Sequence, residues 1–347
     1  MNIKKITAAA LTVVMAAAAF SGCGKTFEKV VTVDGVDIAP NTYLFAQYQA
    51  YMEADNLVED NKVNLLDTFI EDMPSKEWMH KETIDNLKLY VWTDKTFEQM
   101  GLELTQEEME YIDSQVEYYW TFAEKSYVQN GIGKNTYKDN VVNSFKLEKI
   151  FAKIYGAGGE KEPSQQEFKE YMDTQYARIK GFELTKLDSE GKQASAEQLA
   201  KIVAYCEQAV EELNNGADFE QTQVKYMTLT GELFEDETDY SETPSKYTVN
   251  RFLNKSSVAD GEEVLTANAF VAQKGGEYAY DETKKAFVVY QRIENLEAES
   301  ELDFYKANLL SGMRGEEFNE YTETESGKLE VSEDASAVKY YSLNKIK

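Results

Sequence analysis

The stretch TQEEMEYIDSQVEYYW, residues 105–120, decides the fold of the N-terminal half of the chain. Thr105 and Glu108 have the spacing of a helix-capping box, so we expect a helix to begin near Gln106. Apolar side chains then follow at helical spacing, at Met109, Ile112, Val116 and Tyr119. Similar periodicity recurs over residues 41–155, which predicts a mostly helical region.

The segments on either side of this region contain strands as well as helices. Residues 30–38 alternate apolar and polar side chains around the turn pair Asp34-Gly35, which predicts a short hairpin. The later pattern predicts strands over 177–187 and 286–293, helices over 196–214 and 301–321, and a closing strand over 337–346. We expect a fold of the α+β class.

A glycine-rich segment, Gly156-Ala-Gly-Gly159, precedes a charged stretch that ends at Pro163 and is the best linker in the chain. We therefore place one boundary here. The expected domains are an N-terminal helical region over 23–160, a mixed α/β domain over 163–295, and a C-terminal helix and tail over 296–347.

Residues 1–22 have the pattern of a targeting segment. Lys4 and Lys5 give a positive start, and an apolar run of about 15 residues follows, too short to span a bilayer of roughly 30 Å as a helix. The run closes with small residues before Cys23 and resembles a bacterial lipoprotein signal peptide, whose cysteine is lipidated and begins the mature protein. We expect an extracytoplasmic protein that is anchored to the cell membrane through Cys23.

The chain is strongly acidic, with a formal net charge of −27. An acidic surface repels nucleic acid and anionic lipid headgroups. Nucleic acid is therefore not an expected partner, and the lipid has to provide the attachment to the membrane. The same charge also serves to keep a surface protein soluble.

Cysteine and histidine are scarce, at two and one residues. No disulfide framework is expected if Cys23 carries lipid, and Cys206 lies on the apolar stripe of a predicted helix, where we expect a core residue. A His-rich metal site is excluded, and a Ser-His-Asp or Cys-His site could only be built on His80, for which we expect a solvated or capping role. The carboxylates lack EF-hand spacing, so neither a metal nor a cofactor is predicted.

The middle segment carries four phrases in a fixed order: Asn215-Gly-Ala-Asp-Phe219 after a helix, Asn268-Ala-Phe270, Gly275-Gly-Glu277, and the strand Phe287-Val-Val-Tyr290. Over about residues 175–295 this succession resembles parvulin-type peptidyl-prolyl isomerase domains. Those domains show a helix that ends in Ala-Phe, a Gly-Glu turn and a final apolar strand.

The flanking parts extend the resemblance. A helical N-terminal region that begins with a Val-Asp-Gly hairpin, and a C-terminal helix after the isomerase-like segment, resemble the extracytoplasmic foldase lipoproteins of the PrsA type and the related SurA chaperones. The resemblance implies a mostly helical chaperone body formed by the N- and C-terminal segments, with a small parvulin-like α/β domain inserted between them. It also implies binding of unfolded or newly secreted polypeptides.

The catalytic pattern of the parvulins is missing. Those domains carry a histidine in the first strand and another in the final strand; here Gly181 stands at or near the first position and Val288 at the second. In the family these groups polarise the surroundings of a prolyl amide that twists over a barrier of about 18–20 kcal/mol. Glycine and valine cannot supply that hydrogen-bonded network. We expect weak or lost isomerase activity and assign no catalytic residue.

Tyr118, Tyr119 and Trp120 are the candidate residues for binding a client polypeptide. Three adjacent aromatic residues cannot all face one way on a helix, so at least one must point away from the apolar stripe. Exposed aromatic side chains provide contact area at low entropic cost. The acidic residues nearby favour basic clients or simply form a solvated face.

Three alternatives stay open at this stage. The isomerase could persist with substitute residues, which a proline tetrapeptide assay would reveal. The chain could be a lipid-anchored solute-binding protein, which needs repeated strand–helix units and parallel sheets; the long helical stretch disfavours it. A structural or adhesive surface protein is the third, although the sequence contains no internal repeat.

Overall fold

The structure is a computed structural model that describes residues 27–58, 64–188, 191–231 and 246–347. The predicted signal segment and Cys23 lie outside the described residues. The chain divides into two compact units, one comprising the residues up to Leu147 together with Glu323–Lys347, the other Glu148–Thr322. The domain bounds expected from the sequence stay a prediction.

The elements alternate between helices and short strands. In the first half they are β1 (Val31–Val33), β2 (Val36–Ile38), α1 (Pro40–Leu57), β3 (Phe69–Ile70), β4 (Met73–Pro74), α2 (Ser75–Gln99), α3 (Gln106–Gln129) and α4 (Lys134–Tyr155). In the second half they are α5 (Gln165–Gln175), β5 (Tyr176–Thr185), α6 (Ala196–Asn214), α7 (Phe219–Leu229), β6 (Val249–Asn254), α8 (Glu263–Val271), β7 (Ala279–Glu282), β8 (Ala286–Ile293), α9 (Leu302–Gly327), β9 (Val331–Glu333) and α10 (Ala335–Tyr340).

The fold is of the α+β class, as expected: helices predominate and the sheets are small. Every strand pair among the described residues is antiparallel. The parallel sheets on which a solute-binding receptor would depend are therefore not found in the described part of the chain. Nor does that part contain a helix long and apolar enough to cross a membrane.

The first unit contains the predicted hairpin, with a third strand that the sequence did not reveal. Asp34 and Gly35 both have positive φ, as a tight two-residue hairpin turn requires. β9 pairs antiparallel with β1, and the order of the sheet is β2-β1-β9. The apolar side chains of β1 pack against α1 and α2, with Tyr43 and Leu87 fully buried among them.

The closing strand predicted over 337–346 is wrong. The strand of this region is β9, and the residues after it form α10. The Asp334 side chain accepts hydrogen bonds from the backbone N–H groups of Ser336 and Ala337, which starts a helix at this point. Ala337 is fully buried in the core of the first unit.

α3 begins with the predicted capping box. The Thr105 hydroxyl accepts from the Glu108 N–H at 3.2 Å, and the Glu108 carboxylate accepts from the Thr105 N–H at 2.7 Å. The buried residues of α3 repeat every four positions: Ile112, Val116 and Trp120. Of the other predicted positions, Met109 is half-buried and Tyr119 is exposed. Tyr119 is consequently turned out of the core.

The second unit is built on a four-stranded antiparallel sheet of order β6-β5-β8-β7. Side chains alternate between its two faces. Phe182, Leu184 and Val289 pack against α6 and α7, together with the buried Cys206, which confirms the expected core role of that cysteine. The side chain of Ile179 points to the other face of the sheet and packs there against α8.

Candidate functional site

The aromatic triplet of α3 is divided between core and surface, as expected for adjacent helical residues. Tyr118 and Tyr119 are 60% and 51% exposed, whereas Trp120 is only 7% exposed. The Trp120 ring stacks on Tyr127 at 6.0 Å and packs against Tyr137 at 5.7 Å. Trp120 thus lies in the core and can support a binding surface without forming part of it.

Two further aromatic residues extend the exposed side of α3. Phe122 is 72% exposed and Tyr111 is 54% exposed. Tyr111, Tyr118 and Phe122 are separated by seven and then four residues, which places them along one helix face. The rings of Tyr118 and Phe122 are 5.3 Å apart, and those of Tyr118 and Tyr119 are 5.1 Å apart. We call Tyr111, Tyr118, Tyr119 and Phe122 the aromatic surface of α3.

The sequence analysis did not single out Tyr111. Its ring packs edge-on against Phe145 at 5.9 Å, which holds one side of the residue while the other remains exposed. The seven-residue interval between Tyr111 and Tyr118 is the signal that could have identified it, since residues seven apart share a helix face.

The charge along α3 is predominantly negative. The helix carries six carboxylates and one basic residue, Lys125. Two of the carboxylates, Asp113 and Glu117, form ion pairs with Lys138 and Lys134 at the start of α4. The remaining acidic residues leave a negative field beside the aromatic surface, which favours a positively charged partner.

The four-stranded sheet of the second unit offers no room for a side chain at Gly181. In the β5–β8 register Gly181 lies opposite Tyr290. A Cβ atom at this position would collide with the Val289 carbonyl oxygen and approach the Tyr290 Cα to 2.8 Å. Glycine is therefore required by the close approach of the β8 backbone, and no imidazole can stand here without moving that strand.

Val288 is equally unsuited to catalysis by proton transfer or hydrogen bonding. It is fully buried and packs with Ile179, Leu265 and Ala269 in an apolar cluster. Its cross-strand neighbours are Glu183 on β5 and Asp281 on β7. The resemblance places histidines at Gly181 and Val288. The first position is in close contact with the β8 backbone, and the second is a buried core side chain.

A polar network lies on this face of the sheet, and its members Asp281 and Tyr290 are buried. The Tyr290 hydroxyl donates to Asp281 Oδ2 at 2.7 Å, and the Asn268 amide donates to Asp281 Oδ1 at 2.7 Å. Burial, and then the hydrogen bond to Asp281, raises the pKa of Tyr290 far above its ordinary value. These hydrogen bonds link β7, β8 and α8 to one another and so stabilise the packing of α8 on the sheet.

Both ends of α8 are held by arginines of the same sheet. Arg251 donates to the Glu262 carboxylate at 2.8 Å, just before the first turn. Arg292 donates to the carbonyl oxygens of Phe270 and Ala272 at 2.7 and 3.1 Å, at the last turn. A cation at the C-terminal end complements the helix dipole. These contacts fix α8 over Val288 and seal that face.

His80 and the carboxylates are the remaining groups whose roles were predicted from the sequence. His80 is partly exposed, in agreement with the expected solvated role, and its Nε2 lies 3.3 Å from Glu333 Oε1. Among the residues described, no group of three or more histidine, cysteine, aspartate or glutamate side chains could hold a metal ion.

Comparison with known proteins finds likeness among solved structures alone. No family model matches the chain, and neither does any curated protein. The crystal structure of the foldase protein PrsA from Streptococcus pneumoniae aligns with 16% sequence identity over 80% of this chain and 91% of that chain, with a TM-score of 0.35.

Two other PrsA structures align in a similar way. PrsA from Bacillus subtilis has 17% identity over 77% of this chain and 91% of that chain, with a TM-score of 0.30. The foldase protein PrsA from Lactococcus lactis has 13% identity over 92% of this chain and 100% of that chain, with a TM-score of 0.37. The resemblance stated from the sequence names the PrsA type, and these three neighbours carry that name.

Proposed function

We propose that the chain is an extracytoplasmic chaperone or foldase that binds unfolded or newly secreted polypeptides and is anchored to the cell membrane through lipid on Cys23. The observation that carries this proposal is the aromatic surface of α3. The solved structures with which the chain aligns are named as foldases, and the same role is assigned here on the chain's own residues.

The proposal rests on the unfavourable free energy of exposing aromatic rings to water, which binding of a client would remove. Folded proteins rarely keep contiguous apolar patches exposed unless the patch serves an interaction. Tyr118 contacts both Tyr119 and Phe122 on the outside of α3, whereas Trp120 of the same helix is packed in the core. Such a rigid support lets an unfolded segment bury apolar side chains while little additional entropy is lost on the chaperone side.

The charge of α3 adds a preference among clients. An unfolded segment that alternates apolar side chains with lysine or arginine would meet the rings and the carboxylates together. Complementary charge accelerates encounter, and the effect is screened by salt. We therefore propose basic, aromatic-rich segments as the preferred clients.

We further propose that isomerase activity is weak or lost. Support comes from the surroundings of Gly181 and Val288, which leave no space for the two imidazoles that the parvulin pattern requires. Tyr290 and Asn268 both donate to Asp281, so these donors are already used in a structural network. Glycine and valine themselves offer a proline ring no side-chain donor.

Two assays on the full chain test the proposal. In the first, the chain is added to a reduced, aggregating protein and light scattering is followed; a stoichiometric amount is expected to suppress aggregation, less effectively at high salt. In the second, a proline tetrapeptide is assayed for cis–trans conversion, and the rate is expected to stay near the uncatalysed one. Unchanged aggregation would refute the chaperone role, and a rate like that of an active parvulin would refute the loss of activity.

A further inference from the structure

The described residues begin at Phe27, close in sequence to the proposed lipid anchor. Only Gly24, Lys25 and Thr26 separate Cys23 from Phe27. Four residues of chain span at most about 14 Å, whatever their conformation. A lipid on Cys23 would therefore keep Phe27, and the part of the first unit that contacts it, next to the membrane surface.

Phe27 packs against two aromatic residues at the end of α10. Its ring centroid lies 5.6 Å from that of Tyr340 and 6.1 Å from that of Tyr341, and the two tyrosine rings are 4.9 Å apart. Tyr340 is 37% exposed, so the cluster reaches the surface of the first unit. Tyrosine is enriched where proteins meet the headgroups of a bilayer, because its ring is apolar and its hydroxyl is polar. A residue suited to that environment thus lies beside the proposed point of attachment.

The segment that carries these tyrosines, residues 335–347, is opposite in charge to the chain as a whole. It contains Lys339, Lys345 and Lys347 and no aspartate or glutamate, in a protein with 63 acidic and 36 basic residues. All three lysines are exposed. Lys345 Nζ lies 4.1 Å from the centre of the Tyr340 ring, which places a positive charge directly at the aromatic cluster.

The nearest acidic side chains along this part of the sequence lie at the other end of α10. Glu333 and Asp334 precede the helix, whereas the lysines lie at its end and beyond. The helix has six residues, which at 1.5 Å per residue separates its two ends by about 9 Å. Glu28, beside Phe27, is exposed and opposes the lysines with one negative charge. The end of α10 that contacts Phe27 therefore stays positive.

We propose that the face formed by Phe27, Tyr340 and the three lysines of residues 335–347 lies on the membrane and binds anionic phospholipid headgroups. The lysines attract the lipid phosphates, and the Tyr340 ring lies at the level of the headgroups. The lipid on Cys23 provides the attachment, and this face determines which side of the first unit meets the bilayer. The inference rests on the proposed function, from which it takes the lipid anchor, and adds a second contact with the membrane.

The test uses the lipid-anchored protein, reconstituted in vesicles. Asn344 is exposed and lies within the segment, so Asn344→Cys can carry a fluorescent donor. Cys206 is buried and Cys23 carries the lipid, so the donor attaches at position 344 alone. Energy transfer to a headgroup-labelled lipid reports how close the segment is to the membrane. Transfer is expected to be higher on vesicles that contain phosphatidylglycerol than on phosphatidylcholine alone, and to fall at high salt.

The variant that removes the positive charge is Lys339→Gln with Lys345→Gln. Each lysine close to an anionic membrane strengthens the attraction about fivefold. The double variant is therefore expected to reduce the ratio of docked to undocked protein on phosphatidylglycerol vesicles by at least about tenfold. Lys81→Gln with Lys125→Gln is the matched control, because it changes the net charge equally at exposed lysines of α2 and α3. The control is expected to keep the higher transfer.

Equal transfer on the two kinds of vesicle would overturn the inference, as would an equal loss in both double variants, which would reflect net charge alone. Mass spectrometry of the purified protein separates this outcome from failure of the proposed function. With lipid found on Cys23, the absence of a phosphatidylglycerol effect removes this inference and leaves the anchor standing. An unmodified Cys23 would overturn both. Failure to suppress aggregation with the phosphatidylglycerol effect intact would remove the chaperone role and leave this inference standing.

Discussion

α3 and the four-stranded sheet differ in how far their apolar side chains are exposed to solvent. On α3, four aromatic side chains remain exposed although the same helix buries Ile112, Val116 and Trp120. On the four-stranded sheet of the second unit, the area around Val288 is closed, because Arg251 and Arg292 hold α8 over this fully buried residue. The first surface is available to a partner, and the second is committed to the stability of its own unit.

The largest expected effect comes from adding a methyl group at Gly181. Gly181→Ala pushes against the Val289 carbonyl and the Tyr290 backbone, so we expect a loss of about 3 kcal/mol or more in the free energy of unfolding. Chemical denaturation followed by circular dichroism measures the change.

Gly315→Ala is the matched control for that substitution. Gly315 lies inside α9 of the same unit, and a Cβ there meets nothing within 4 Å. Alanine in a helix interior should increase stability by roughly 0.5–1 kcal/mol. If Gly181→Ala were as harmless as Gly315→Ala, position 181 would have room for a catalytic side chain.

A smaller effect is expected when the buried network loses its hydroxyl. Tyr290→Phe leaves Asp281 without one of its donors, which should cost about 1.5–3 kcal/mol because the acceptor is a buried carboxylate. Tyr280→Phe on the neighbouring strand is the control, since its hydroxyl reaches Glu207 only at 3.5 Å. Equal stability of the two variants would mean that the network does not hold α8 on the sheet.

The smallest effect concerns the helix that carries the aromatic surface. Thr105→Ala removes the hydroxyl that accepts from the Glu108 N–H, and a lost N-cap costs about 1 kcal/mol. Thr121→Ala in the same helix should be neutral or slightly stabilising, because its hydroxyl bonds only to the Tyr118 carbonyl within the helix. Thermal unfolding of both variants measures the difference, and an equal loss would show that the capping box is dispensable.

Local signals in the sequence were sufficient to predict most of the helices and strands. The pair Asp34-Gly35 predicted the hairpin, and the spacing of Thr105 and Glu108 predicted the start of α3. Such features depend on residues a few positions apart, so they can be recognised without the fold. α7 was not predicted, although Asp218 caps it by accepting from the Gln221 N–H, a short-range signal that was available.

Contacts that join distant parts of the chain could not be predicted in this way. β9 pairs with β1 across nearly the whole length of the sequence, and its three residues carry no strong strand signal of their own. The requirement for glycine at 181 follows from its register with β8, which the local sequence does not specify. The three adjacent aromatic residues of α3 were recognised from the sequence. Which of them is buried depends on the helix face that packs against the rest of the unit, so the burial of Trp120 and the exposure of Tyr118 could not be predicted.

The most direct test of the account measures binding of a reduced, unfolded polypeptide to the full chain and to the double variant Tyr118→Ser with Phe122→Ser. Both side chains are exposed, so the melting temperature should be nearly unchanged. Phe304→Ser, at a 79% exposed aromatic residue of α9, is the control. The account predicts at least a tenfold loss of affinity in the double variant and none in the control. Equal affinity in all three proteins would contradict the claim that the aromatic surface of α3 holds the client.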